Sequence, residues 1–128
     1  MPMSDNEANI LVVDDEENIR TAVERIISKL GCRVFKAADG EAGLKIMEQE
    51  DIGIVFLDLK MPGMDGMDVQ KEIREKYQDV LIIIITGYAT IEVAIESMKQ
   101  GAYDFIPKPF EAEQLRMVTK RALEKIYL

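Results

Sequence analysis

Asp14, Asp15, Asp58, Thr86 and Lys108 have one placement in common: each ends or directly follows a short apolar run. Ile10–Val13 leads into the paired aspartates, Ile54–Leu57 into Asp58, Leu81–Ile85 into Thr86, and Phe105–Pro107 into Lys108. Three carboxylates, a hydroxyl and an ammonium brought to one patch could hold a divalent cation and a phosphoryl group. Clustered carboxylates raise one another's proton affinity, and a cation relieves that strain. Mg²⁺ takes one or two carboxylates together with waters and phosphate oxygens, which suits a shallow site at loop ends. Asp58 is the nucleophile candidate, because a carboxylate can attack phosphorus and become an acyl phosphate. Thr86 can donate a hydrogen bond to a phosphoryl oxygen, and Gly87 leaves room beside it. Lys108 lies between Pro107 and Pro109, whose restricted backbone, with a cis Lys108–Pro109 bond, could aim the side chain at the acidic group.

Each residue also has a plainer use. Asp14 or Asp15 can cap the helix that follows, and one of them is expected to help do so. Asp58 can sit in a turn, Thr86 can simply finish a strand, and Lys108 can snorkel to water. Capping does not call for two adjacent aspartates plus a third on a neighbouring strand. The joint placement favours the cation and phosphoryl reading.

Bringing these residues together requires a parallel sheet, and the chain alternates strand and helix signals from end to end. Strands are expected over Asn9–Val13, Arg33–Ala37, Gly53–Leu57, Val80–Ile85 and Tyr103–Ile106, each a short apolar run. The first helix carries Ile19, Val23, Ile26, Ile27 and Leu30 on one stripe and closes at Gly31. Asp39 caps the second, with Leu44 and Met47 inward. Residues 60–66 form a loop with Asp65 capping a third helix, on which Val69, Ile73 and Tyr77 recur. The fourth helix carries Ile91, Ala94 or Ile95, and Met98, and stops at Gly101. The fifth begins near Glu111 with Leu115, Val118, Ala122 and Ile126 inward. Five such units imply an α/β, doubly wound parallel sheet with helices on both faces. The flavodoxin-like strand order 2-1-3-4-5 puts strands one and three together where a ligand crevice opens.

Composition narrows the classes. The chain has 128 residues, one domain's worth, of which 48% are hydrophobic and 31% charged. Its net charge of −8 argues against direct nucleic-acid or anionic-membrane binding. No apolar run approaches the ~20 residues of a membrane span, and the first residues lack the pattern of a secretory signal. Residues 1–8 read as a polar, disordered tail and 9–128 as the folded domain. Cys32 is alone, which excludes an intramolecular disulfide and suits a reducing, cytoplasmic setting. Histidine is absent, so any phosphohistidine must belong to another protein.

Over residues 9–127 the chain resembles the receiver domain of bacterial two-component response regulators. The segments that carry the resemblance are ILVVDDEENIR, VFLDLKMPGMDG, LIIIITGYAT and GAYDFIPKPF. The stretch ITGYATIEVAIESMKQGAYDFIPKPF is most similar to receivers of NtrC-type, sigma-54-dependent activators, which carry an AAA+ module and a DNA-binding domain. The resemblance implies that Asp58 accepts a phosphoryl group from a sensor histidine kinase. It also implies Mg²⁺ held by Asp15, Asp58 and the main-chain carbonyl of Lys60, with Asp14 acting through water. Thr86 and Lys108 would bind phosphoryl oxygens, and Thr86 would couple to Phe105 as a switch. Phe105 stands where many members have tyrosine, so a switch here rests on packing alone, and a plain core aromatic is an equal reading of this residue. Tyr103 should share its side of the strand by alternation. Lys60 occupies a position more often filled by a smaller polar residue. A phosphorylation-dependent homodimer through the helix four–strand five–helix five face is implied as well. The chain is read as either a stand-alone receiver or the front of a longer protein, the second being favoured, with any DNA contact made by an output domain outside it.

Two other classes compete. A haloacid-dehalogenase-like phosphatase also uses an aspartyl phosphate, but would place a second aspartate where Lys60 stands. A phosphate-independent interaction module on the same fold would have no use for the complete acidic set. Dinucleotide and flavin binders fail because no glycine-rich loop follows the first strand.

Overall fold

A computed structural model describes residues 8–127; residues 1–7 of the expected tail and Leu128 lie outside them. Ala8 is buried, and its carbonyl accepts the N–H of Arg33. The elements run β1 (Asn9–Val13), α1 (Glu17–Ser28), β2 (Arg33–Ala37), α2 (Gly40–Gln49) and β3 (Ile54–Leu57). There follow β4 (Lys60–Met61), β5 (Met64–Asp65), α3 (Gly66–Lys76), β6 (Leu81–Thr86), α4 (Ile91–Lys99), β7 (Asp104–Pro107) and α5 (Ala112–Tyr127). The main sheet is parallel throughout, in the order β2-β1-β3-β6-β7. That is the expected 2-1-3-4-5 once the two short strands β4 and β5 are set apart.

Strand alternation sends the apolar side chains to two separate cores. Leu11, Val13, Val55, Leu57, Ile82 and Ile84 face Met47 of α2 and Val69 and Ile73 of α3. Ile10, Val12, Ile54, Phe56, Ile83 and Ile85 face Val23 and Ile27 of α1 and Leu115, Val118 and Ala122 of α5. The central strands β1, β3 and β6 are therefore buried on both faces, as their unbroken apolar runs require.

Three expectations are corrected. Residues 60–66 are a hairpin and not a plain loop: β4 and β5 pair antiparallel around Pro62–Gly63, with Gly63 at φ 69°. Proline followed by a residue at positive φ is the composition of a tight turn, and the turn brings the flanking pairs together. Tyr103 does not share the side of Phe105. It precedes β7 and packs on the α1–α5 core, whereas Phe105 packs on the other, because alternation starts only with the strand. Neither Asp14 nor Asp15 caps α1; the N-cap is Glu16, without a side-chain capping bond. The apolar stripe of α4, whose direction the periodicity left open, faces outward: Ile91, Ile95 and Met98 are 77%, 52% and 45% exposed, while Ser97 is buried. The caps of Asp39 and Asp65 are as expected, accepting from Ala42 N and Met67 N. Among the described residues no helix is long and apolar enough to cross a membrane.

Candidate functional site

Strand register brings the chemistry together. Val13 pairs with Leu57, so Asp14 and Asp58 are the next residues on adjacent strands, and Thr86 pairs with Pro107 directly before Lys108. The ladder continues beyond the strand ends. Asp14 N donates to Ala37 O at 3.1 Å, Asp58 N to Val13 O at 3.0 Å, and Lys108 N to Thr86 O at 2.9 Å. The site residues thus leave a rigid sheet edge on regular backbone.

The side chains then converge. Lys108 Nζ lies 2.9 Å from Asp14 Oδ2, 2.8 Å from Glu16 Oε2 and 3.0 Å from Asp58 Oδ2. The contacts with Glu16 and Asp58 are hydrogen bonds. The contact with Asp14 is an ion pair off the hydrogen-bond direction, which leaves the buried Oδ2 without a hydrogen-bond partner. The Lys108–Pro109 bond is cis. Two Asx-type turns orient the buried carboxylates: Asp14 Oδ1 accepts from Glu16 N at 2.9 Å, and Asp58 Oδ1 from Lys60 N at 3.1 Å. Arg20 braces the same corner by donating to Asp14 O at 2.7 Å.

Burial pushes the Asp14 carboxyl above its ordinary range, against the lowering pull of Lys108 and of the Glu16 N–H. Burial alone would lower the Lys108 ammonium. Its contacts with Asp14, Glu16 and Asp58 outweigh that and hold its proton more tightly than usual.

Asp14, Asp15, Glu16 and Asp58 each offer a carboxylate oxygen, and these atoms lie within 4.8 Å of one another. Two of the four residues are buried, two are exposed, and one ammonium balances them in part. With the Glu16 carboxylate turned to Lys108, Asp14, Asp15 and Asp58 fit a hard divalent cation: oxygen ligands, an open outer side, and a buried Asp14 oxygen with no hydrogen-bond partner.

Thr86 is fully buried, with Oγ1 accepting from Tyr88 N at 3.1 Å. Gly87 leaves its neighbourhood open, since a β-carbon there would meet only Lys108 Cβ, at 4.0 Å. A cleft of about 310 Å³ opens over these groups, lined by Glu16, Asp58, Lys60, Thr86, Gly87, Tyr88 and Lys108. Lys60 Nζ stands 4.6 Å from the centre of the Tyr88 ring at the rim. Phe105 is half-buried, in register with Ile84, two residues before Thr86. A larger cleft, about 520 Å³, opens elsewhere between Glu50–Gly53, Lys76–Val80 and the end of α5, away from the five residues of the constellation.

The structure therefore gathers Asp14, Asp15, Asp58, Thr86 and Lys108, and leaves Phe105 on the neighbouring strand. Sequence reasoning missed Glu16, which shares Lys108, and Tyr88, which stacks on Lys60. The signal for Glu16 was its place directly after the paired aspartates. Nothing in the sequence marks Tyr88 beyond its position two residues after Thr86.

The family described as Response regulator receiver domain matches residues 10–120. The chain is 39% identical over 118 residues to a putative NtrX-like response regulator of Rickettsia bellii, covering 91% of this chain and 25% of that protein. It is 36% identical to the DNA-binding transcriptional regulator NtrC of Proteus hauseri, covering 90% of this chain and 24% of the other. The solved receiver domain of NtrX from Brucella abortus superposes with a TM-score of 0.85 at 39% identity, covering 90% of this chain and 98% of that one. The chain spans about a quarter of the length of the curated relatives it matches.

Proposed function

Since this chain belongs to the response regulator receiver domain family, we propose that Asp58 accepts a phosphoryl group from the phosphohistidine of a sensor histidine kinase. The observation that carries this reading is the position of Asp58. It is a buried carboxylate that opens on a cleft, with Lys108 Nζ 3.0 Å from Oδ2 and Thr86 on the next strand. In the transfer, a carboxylate oxygen of Asp58 forms a bond to phosphorus while the phosphorus–nitrogen bond to histidine breaks. The bonding pair returns to the imidazole, which takes up a proton. Lys108 neutralises one phosphoryl oxygen, and the Thr86 hydroxyl donates to another.

Asp14, Asp15, Asp58 and the main-chain carbonyl of Lys60 are the groups that would hold Mg²⁺. The ion supplies charge neutralisation for the incoming dianion when bound. The same groups serve hydrolysis, in which a water oxygen bonds to phosphorus as the bond to the Asp58 carboxylate breaks and inorganic phosphate leaves, so the domain acts on itself and not on a free substrate.

Phosphorylation adds about −1.5 to −2 charge at the sheet edge and draws Thr86 and Lys108 toward it. Phe105 and α4 lie next to that edge, and α4 exposes Ile91, Ile95 and Met98. The α4–β7–α5 surface is the output: it changes partner, by homodimerisation, and so controls a transcriptional output domain in a longer cytoplasmic regulator. With a net charge of −8 the receiver itself leaves DNA to that domain.

Acetyl phosphate with Mg²⁺ should add one phosphoryl group to the wild-type chain, seen by intact mass, and none to Asp58→Asn. Labelling of the variant at another residue defeats the assignment.

A further inference from the structure

Glu16 has no role in the phosphoryl transfer described above, yet it is not placed as an ordinary helix-start acid. It is the N-cap of α1, where the shorter side chains of Ser, Thr, Asp and Asn fold back onto first-turn N–H groups. Its side chain makes no such bond; only its carbonyl is used, by Ile19 N and Arg20 N. The carboxylate instead reaches Lys108, 92 residues away, at 2.8 Å. The backbone that presents it is tied to Asp14 Oδ1 at 2.9 Å, so its reach is set by the site itself.

An ammonium has three N–H donors, and Lys108 faces three carboxylates. These partners differ sharply: the side chains of Asp14 and Asp58 are 2% and 4% exposed, and that of Glu16 is 51% exposed. Leaving Asp14 or Asp58 would strand a buried charge. Leaving Glu16 exchanges a half-exposed ion pair for water, at small cost. If Lys108 is to turn to a phosphoryl oxygen on Asp58, Glu16 is the partner it can relinquish. Glu16 also lines the cleft through which the anionic group enters, with its own charge opposed to it.

We infer that Glu16 is a positioning residue that parks Lys108 while Asp58 is unmodified and releases it when Asp58 carries a phosphoryl group. The inference rests on Asp58 as acceptor. No bond to Glu16 forms or breaks. Parking keeps the ammonium at the site yet delays its turn toward phosphate, so phosphorylation in the wild-type chain is slower than the other groups permit.

The test compares wild type, Glu16→Gln and Glu16→Asp in the whole chain, with acetyl phosphate as donor and Mg²⁺ affinity measured separately by calorimetry. Glu16→Gln removes the charge; Glu16→Asp keeps it but draws it back by one methylene, out of reach of Lys108. Both variants should be labelled about two- to five-fold faster than wild type, the scale of one half-exposed ion pair. Mg²⁺ affinity should stay within about two-fold, and the Lys108 side-chain NMR signal should shift in both. Wild-type labelling rates in either variant overturn the inference. So does a loss of Mg²⁺ affinity on the order of ten-fold in Glu16→Gln, which would make Glu16 a cation ligand worth over 1 kcal/mol. Failure of the Asp58 reading looks different: wild type and both variants would all remain unlabelled at Asp58, while the Lys108 signal still shifted.

Discussion

Gln70 on α3 donates from Nε2 to the carbonyl of Ser97 on α4 at 2.8 Å, with both residues fully out of water. Helix α4 turns its apolar stripe to solvent, so this amide does part of what a hydrophobic face does for the other helices. The Gln70 Oε1 atom is buried without a partner, and the Ser97 carbonyl also accepts from Ala102 N at 3.1 Å. The link is therefore local in value. Gln70→Met loses the donated bond but also removes the orphaned acceptor, so urea unfolding should change by about 1 kcal/mol or less. Hydrogen exchange of the α4 amides should nevertheless quicken selectively. Uniform quickening across the sheet would contradict a role confined to α4.

The raised Asp14 carboxyl makes a signed prediction about pH in metal-free buffer. Folded protein holds that proton more tightly than unfolded protein, whose aspartate titrates near 3.8. Between the two values the folded chain binds more protons, so the stability contributed by Asp14 falls as pH rises. Asp14→Asn abolishes this fall, and its stability relative to wild type should increase as pH rises from about 4 through the folded value. Lys108 adds no slope there. Its raised affinity contributes fully below the ordinary lysine value of 10.5 and is lost only as pH climbs past the folded value. Chemical unfolding with EDTA across that range decides the matter, and a flat difference would defeat it.

Ile95 separates folding from output. It is 52% exposed on α4, so Ile95→Glu should alter stability by no more than about 0.5 kcal/mol. Labelling of Asp58 should proceed as in wild type. Self-association of the phosphorylated chain, followed by light scattering, should be lost. Dimerisation that survives the charge would move the output surface elsewhere.

What the residues disclose in advance is uneven for physical reasons. β1 and β2 were legible to the residue, because NILVV and RVFKA are bounded by polar or turn-forming neighbours. Asp14, Asp58, Thr86 and Lys108 were legible because ends of parallel strands converge whatever their separation in sequence. Periodicity told which residues of α4 share a face but not which way that face points, and the stripe of Ile91, Ile95 and Met98 looks outward. Glu16 escaped because an acid beside a helix start already has a local explanation in the helix dipole. The Lys60–Tyr88 stack depends on two exposed side chains meeting across a cleft, which no pattern along the chain encodes.

Every residue of β3, all but the first of β1, and the four isoleucines Ile82, Ile83, Ile84 and Ile85 of β6 are enclosed between two apolar layers. Such a slab is packed too tightly to flex, so it serves as an anvil: whatever force arises at its edge must be absorbed by the rim. Of the pieces that touch that edge, α4 has the least oil holding it down. On the proposed reading of Asp58 as acceptor, α4 is the soft place where its message is read.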